Sequence, residues 1–147
     1  MRKELVVKGL FSRMKNDDNL EYATHNERVC RYLDKKSEFS DWVITTAFYS
    51  ALHFVRYKIF PITIQRNDKS VKISDFEQYY RINNPQNRSK HSLLSDLVDE
   101  LHPDVANDYN KLRDISWSAR YHNYKFPREV SNDAKKRLER IKSYCSN

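Results

Sequence analysis

The stretch DWVITTAFYSALHFVRYKIF, residues 41–60, contains neither glycine nor proline and is apolar on almost every side of a helical wheel. A helix with one apolar stripe lays that face on a core, whereas one that is apolar all round is itself surrounded. Ala47, Ser50 and Ala51 stand among the aromatic residues and leave room for neighbouring helices to approach. The segment is read as a helix from about Asp41 to Phe60, capped by Ser40, at the centre of a helical bundle. Pro61 ends it, because the proline ring clashes with a continuing helix.

Working outward, one glycine and four prolines in 147 residues leave few tight turns, and the remaining apolar periodicity is that of helices, so the class expected is all-α. A first helix runs from about Asn19 to Lys35, with Asn16, Asp17 and Asp18 as caps and Tyr22, Val29 and Leu33 as its stripe; Asn26 is a polar member of that face. Residues 61–90 are the least regular. ITIQRNDKSVKIS alternates weakly about Asn67-Asp68 and reads as a short hairpin, Ser74 would cap a short helix through Tyr80, and NNPQNRSK is loop-like. The helix from about Arg88 to Leu101 carries Leu94, Leu97, Val98 and Leu101. Pro103 suits a first helical turn, so the next helix starts at once and the two must be antiparallel neighbours. That helix, about Pro103 to Asn123, buries Val105, Tyr109, Leu112, Ser116 and Ala119. After Pro127 a last helix, residues 128–145, uses Val130, Ala134, Leu138 and Ile141. No repeat or linker interrupts the chain, and residues 1–147 read as a single domain with its core over about 19–125.

Lys and Arg number 27 against 20 Asp and Glu, a formal charge of +7. Such an excess suits a polyanion such as RNA or DNA, and equally a solvated basic surface. Cys30 and Cys145 fall on apolar positions of helices and read as small buried hydrophobes; two cysteines do not make a secreted disulfide framework. The opening MRKELVVKGLFSRMKNDD lacks the unbroken apolar core of a signal peptide, and no run reaches the ~18 apolar residues of a membrane span. A cytoplasmic protein with no membrane partner is expected. The single glycine excludes Walker-type and dinucleotide loops. No His-x3-His or Cys-x2-Cys spacing occurs, so neither a metal nor a cofactor is expected.

The side chains that could carry chemistry gather near DISWSARYHNYKF, residues 114–126. At about 100° per residue, Arg113, Trp117, Arg120 and Tyr124 fall along one line of their helix, roughly 90° from the centre of its core stripe. Arginines interleaved with exposed aromatics grip single-stranded nucleic acid; the same pattern also marks an amphipathic boundary where long side chains pass the core to solvent. His91 extends the apolar face of its helix, and His53 lies between Tyr49 and Tyr57 on the central one. Where the three helices pack, His53, His91 and Arg120 are expected to converge with Tyr49 and Tyr121. Paired carboxylates such as Asp99-Glu100 lie on polar faces. KKRLERIK, in the last helix, is the best stretch for sequence-independent phosphate contact, or else a solvated face.

DWVITTAFYSALHFVRYKI followed by RSKHSLLSDLVDELHPDVANDYNKLRDISWSARY resembles the HEPN superfamily of small helical bundles, over about residues 20–125. The resemblance implies an up-and-down bundle of four core helices with an additional terminal helix, frequent homodimers, and association with RNA cleavage, toxin-antitoxin systems, phage defence and nucleotidyltransferase partners. Ribonuclease members carry an Arg, four to six residues and then a His on the final core helix. Here Arg113 and Arg120 stand respectively too far from and too close to His122, and Arg88 is only three residues before His91. The expectation is therefore a non-catalytic module binding RNA, a nucleotide or a protein partner. The alternative is a metal-independent endoribonuclease with a rearranged site, in which Arg120 holds phosphate and His91 or His53 moves the proton.

Overall fold

The structure is a computed structural model that describes residues 16–147; most of the N-terminal stretch read above for a leader therefore lies outside the described residues. In chain order the elements are α1 (Asn16–Asp34), α2 (Ser40–Ile59), β1 (Ile62–Arg66), β2 (Lys69–Ile73), α3 (Phe76–Ile82), α4 (Lys90–Leu101), α5 (Pro103–Tyr121) and α6 (Arg128–Cys145). Helices make up 72% of the described chain, and the two strands form one small sheet.

Helix α2 is central, packing on α1, α5 and α6. It is buried continuously from Val43 to Phe48 and again from Ser50 to Val55. Ala47 and Ala51 are fully inaccessible, and the Ser50 hydroxyl donates to the Ala23 carbonyl at 2.7 Å, which brings α1 close. The helix stops at Ile59, and Phe60 before the proline is extended, the geometry a following proline imposes. Ser40 does not cap the helix: its Oγ accepts from the Phe126 N–H at 3.2 Å and so ties the 122–127 connection to the start of α2.

Helix α1 is already helical at Asn16, three residues before the expected start. Its buried stripe is also not the expected one. Asn19, Ala23, Glu27 and Cys30 are buried, whereas Tyr22 is 49% exposed and Val29 and Leu33 are half-buried. Polar residues occupy the inner face because each has a partner: Glu27 takes Arg31 at 2.7 Å and Lys142 at 2.9 Å, and Asn19 meets His53. A buried ion is tolerated only when it is paired, so apolar periodicity alone misplaces this face.

The hairpin forms where alternation suggested it. Asn67 and Asp68 take φ of 51° and 60°, the left-handed pair that a two-residue turn between twisted strands needs. Asp75, not Ser74, caps α3, its Oδ1 accepting from the Gln78 N–H at 2.9 Å; the Ser74 N–H donates to Gln78 Oε1 instead. Ser89 caps α4 and Pro103 opens α5, with His102 alone between the two helices. Contacts from Asp99 to Asn110 and from Ser95 to Arg113 run in opposite directions along the two chains, so α4 and α5 are antiparallel. All five expected core residues of α5 are buried. In α4 the inner face is Leu93, Leu94, Leu97 and Val98, and Leu101 is 42% exposed.

Helix α6 closes the bundle with Ala134, Leu138, Ile141 and Cys145 buried and Val130 half-buried. Most of its cations are tied to carboxylates of other helices, exposed Lys136 being the exception among the described residues. Lys135 and Arg128 pair with Asp34, Arg137 and Arg140 with Asp108, and Lys142 with Glu27. The run read as the best phosphate-contacting stretch is largely neutralised within the fold. Among the described residues, no helix is long and apolar enough to cross a membrane.

Candidate functional site

Helix α5 carries Ser116 and Ala119 on its inner face, so Trp117 and Arg120 stand at its edges. Arg120 is fixed along its length. Its Nε donates to the Ser116 carbonyl one turn back at 3.2 Å, and its Nη1 donates to Tyr49 Oη on α2 at 3.0 Å. Four aromatic rings surround the guanidinium, with centroids at 5.3 Å for Tyr121, 5.5 Å for Tyr49, 5.7 Å for Phe48 and 6.0 Å for Trp117. Among the described residues, no carboxylate pairs with it. Ring faces attract a cation without neutralising it, and the Nη2 hydrogens remain for an external acceptor.

Trp117 and Tyr121 are 54% and 60% exposed, and their rings lie 4.5 Å apart at 49°. They form an aromatic platform open to solvent beside Arg120. Arg113, two turns before Arg120, donates from Nη1 to Ser95 Oγ on α4 and lies near Asp114. The structure thus brings Trp117, Tyr121 and Tyr49 around Arg120, while Arg113 is directed to Ser95 and Asp114.

His91, in the first turn of α4, sets its ring 5.7 Å from that of Phe48, the same ring that Arg120 approaches. Phe48 is thus a shared neighbour of a histidine and an arginine that belong to different helices. Burial holds His91 below the ordinary imidazole range, helped by the guanidiniums of Arg120, Arg56 and Arg113. It is therefore neutral at pH 7, able to accept a proton or a hydrogen bond but adding no charge.

Two expected members do not join the group. His53 serves the α1 contact: its Nδ1–H donates to Asn19 Oδ1 at 2.9 Å, and its ring stacks on Tyr22 at 5.2 Å. Burial is the main reason its pKa falls to about 4, with the Arg56 charge adding to it. The misplacement arises because α2 is apolar all round, so periodicity cannot say which neighbour a given position faces. Tyr124 leaves the line because α5 ends at Tyr121, the His122 and Asn123 N–H groups both reaching the Ser118 carbonyl. Tyr124 is 64% exposed in the connection beyond, with Lys125 Nζ 5.5 Å from its ring.

Three residues that belong here were not singled out from sequence. Phe48 is the shared ring; Arg56 packs on Phe76 at 4.4 Å, with its Nε buried and unbonded; Tyr109 is fully buried, its hydroxyl also unbonded. Tyr109 reads from sequence as a core residue, and an arginine within the largely apolar run from Ala51 to Tyr57 is the available signal for Arg56. Among the described residues, no group of three His, Cys, Asp or Glu side chains is placed to hold a metal ion. Comparison of the chain with protein-family models, with curated proteins and with solved structures finds no match in any of the three.

Proposed function

We propose that the chain is a HEPN-like helical module that binds single-stranded RNA, without cleaving it, on the α5 face formed by Trp117, Arg120 and Tyr121. One observation carries this reading: a guanidinium with no carboxylate partner among the described residues sits among four rings, two of them more than half exposed. Unpaired bases stack on open aromatic faces, and a neighbouring phosphate then takes the free guanidinium hydrogens. The net charge of +7 adds long-range attraction for the same ligand. A protein partner, including a second copy in a homodimer or an antitoxin, would compete for the same exposed aromatics.

Fluorescence anisotropy with a labelled oligouridylate tests the proposal. Stacking on an aromatic side chain is worth about 1 to 3 kcal/mol per base, so Trp117→Ala should weaken binding by roughly 5- to 150-fold at 1.4 kcal/mol per decade. Its melting temperature should change little, because the side chain is half in water. Unaltered affinity in Trp117→Ala would remove the proposed face.

The alternative, metal-independent RNA cleavage, draws on the neutral His91 that shares Phe48 with Arg120. It requires wild type to cut RNA in the presence of a chelator and His91→Ala to lose that cutting.

A further inference from the structure

On the body of the bundle the carboxylates Glu27, Asp34 and Asp108 each bind two cations. The hairpin is different. Its register sets Ile62 opposite Ile73, Ile64 opposite Val71 and Arg66 opposite Lys69, and because strand side chains alternate, these three pairs share one face. Burial falls away along that face: Ile73 is buried, Ile64 and Val71 are half-buried, and Arg66 and Lys69 are exposed. Lys72 is exposed on the other face, opposite Thr63. Among the described residues, none of these three cations has a carboxylate partner, Asp68 of the turn included.

Two like charges directly opposite one another destabilise a hairpin, yet this tip is firmly made. Asn67 and Asp68 hold the left-handed turn, and Gln65 Nε2 donates to Ser70 Oγ across the strands at 2.7 Å. Holding two cations face to face on a defined turn costs stability that no carboxylate among the described residues returns. An anion bridging them would return it. The hairpin is also joined to the α5 site through intervening elements: β2 packs on α3, and Lys90 reaches α3 at Glu77 (2.8 Å) and Tyr80 (5.4 Å), one residue before His91.

We propose that Arg66 and Lys69 form a clamp for one phosphodiester of a polynucleotide, a second contact on the strand whose bases stack at Trp117 and Tyr121; this rests on the RNA-binding reading above. The ligand class it selects is a polymer, since a mononucleotide would occupy one contact and leave the other open.

The test measures binding of a labelled oligouridylate of about 20 nucleotides, longer than the ~4 to 16 nucleotides of one small binding fold, over a range of NaCl concentrations. Each phosphate contact to a single strand contributes about 0.7 to the slope of log affinity against log salt. Arg66→Ala/Lys69→Ala removes the contact to that one phosphate and should lower the slope by about 0.7, whereas Trp117→Ala should weaken binding with the slope unchanged. Lys69→Glu places an opposite charge across from Arg66, so it should raise the melting temperature while weakening binding, a divergence that a merely structural tip would not produce. A wild-type slope in the double variant, or wild-type affinity in Lys69→Glu, overturns the clamp. If the double variant loses slope while Trp117→Ala binds normally, the clamp stands and the α5 reading falls. If wild type binds no oligonucleotide at low salt, both fall.

Discussion

Replacing Asp108 by Asn should loosen α6 from α5, and the structure indicates by how much. Asp108 Oδ1 accepts from Arg137 Nη1 and Arg140 Nη2, each at 2.7 Å, and Oδ2 accepts from Arg140 Nε at 2.9 Å. The Arg137 side chain is 13% exposed and that of Arg140 53% exposed. The Arg140 pair, open to solvent, is worth about 0.2 to 1 kcal/mol. The bond to the largely buried Arg137 is worth about 1.5 to 3 kcal/mol, as for hydrogen bonds to charged groups. The substitution should therefore cost about 2 to 4 kcal/mol, or roughly 4 to 16 °C in melting temperature for a chain of this size. The two guanidiniums hold the Asp108 carboxyl below its ordinary range against the opposing effect of burial. A depressed carboxyl contributes its stability above the unfolded-state pKa and loses it as pH falls through the lower folded-state value. The gap between wild type and Asp108→Asn should therefore be full at pH 7, begin to close below about pH 4, and be nearly gone once Asp108 is protonated in the folded protein. Thermal melts followed by circular dichroism at pH 7 and at successively lower pH values measure it. Equal melting temperatures at pH 7, or a gap that does not close with acid, would refute the reasoning.

Two other predictions concern the core. Ala51, fully inaccessible on the central helix, should not accept Leu without a loss of about 1 to 3 kcal/mol from overpacking, measured by urea denaturation; a neutral result would mean that α2 is not enclosed. His53, whose pKa falls to about 4 because of burial, takes up a proton near pH 6.5 in the unfolded chain but not in the folded one. Stability should therefore fall by up to about 3 kcal/mol between pH 6.5 and 4, at 1.36 kcal/mol per unit. His53→Gln, which keeps a donor toward Asn19, should flatten that part of the profile, and an unchanged profile would count against the assignment.

The all-α class, the central helix and the α4–α5 pair were legible in the sequence because glycine scarcity, the all-apolar stretch and Pro103 each act locally. The hairpin was legible for the same reason, since Asn67-Asp68 supports a left-handed turn without reference to the rest of the chain. The inner face of α1 was not. Glu27 is buried there because Lys142, far along the chain, joins the local Arg31 in pairing with it, and no local pattern carries the Lys142 contact. The site divides along the same boundary. Trp117, Arg120 and Tyr121 lie within one helix, so their spacing placed them near one another. Tyr124 was lost because the helix stops at Tyr121, and His53 because an all-apolar helix gives no clue to which neighbour each side faces. The basic run of α6 looked available for phosphate because the carboxylates that occupy it lie mostly on α1 and α5.

The most direct test of the central claim reads the Trp117 ring itself. Trp42 and Trp117 are both more than half exposed, so Trp42→Phe leaves one indole to report. Titrating that variant with unlabelled oligouridylate at low salt should quench its fluorescence as bases stack on Trp117, and added salt should reverse the quenching in step with the affinity measured by anisotropy. Binding by anisotropy with no change in Trp117 emission would place the RNA elsewhere on the molecule and contradict the account.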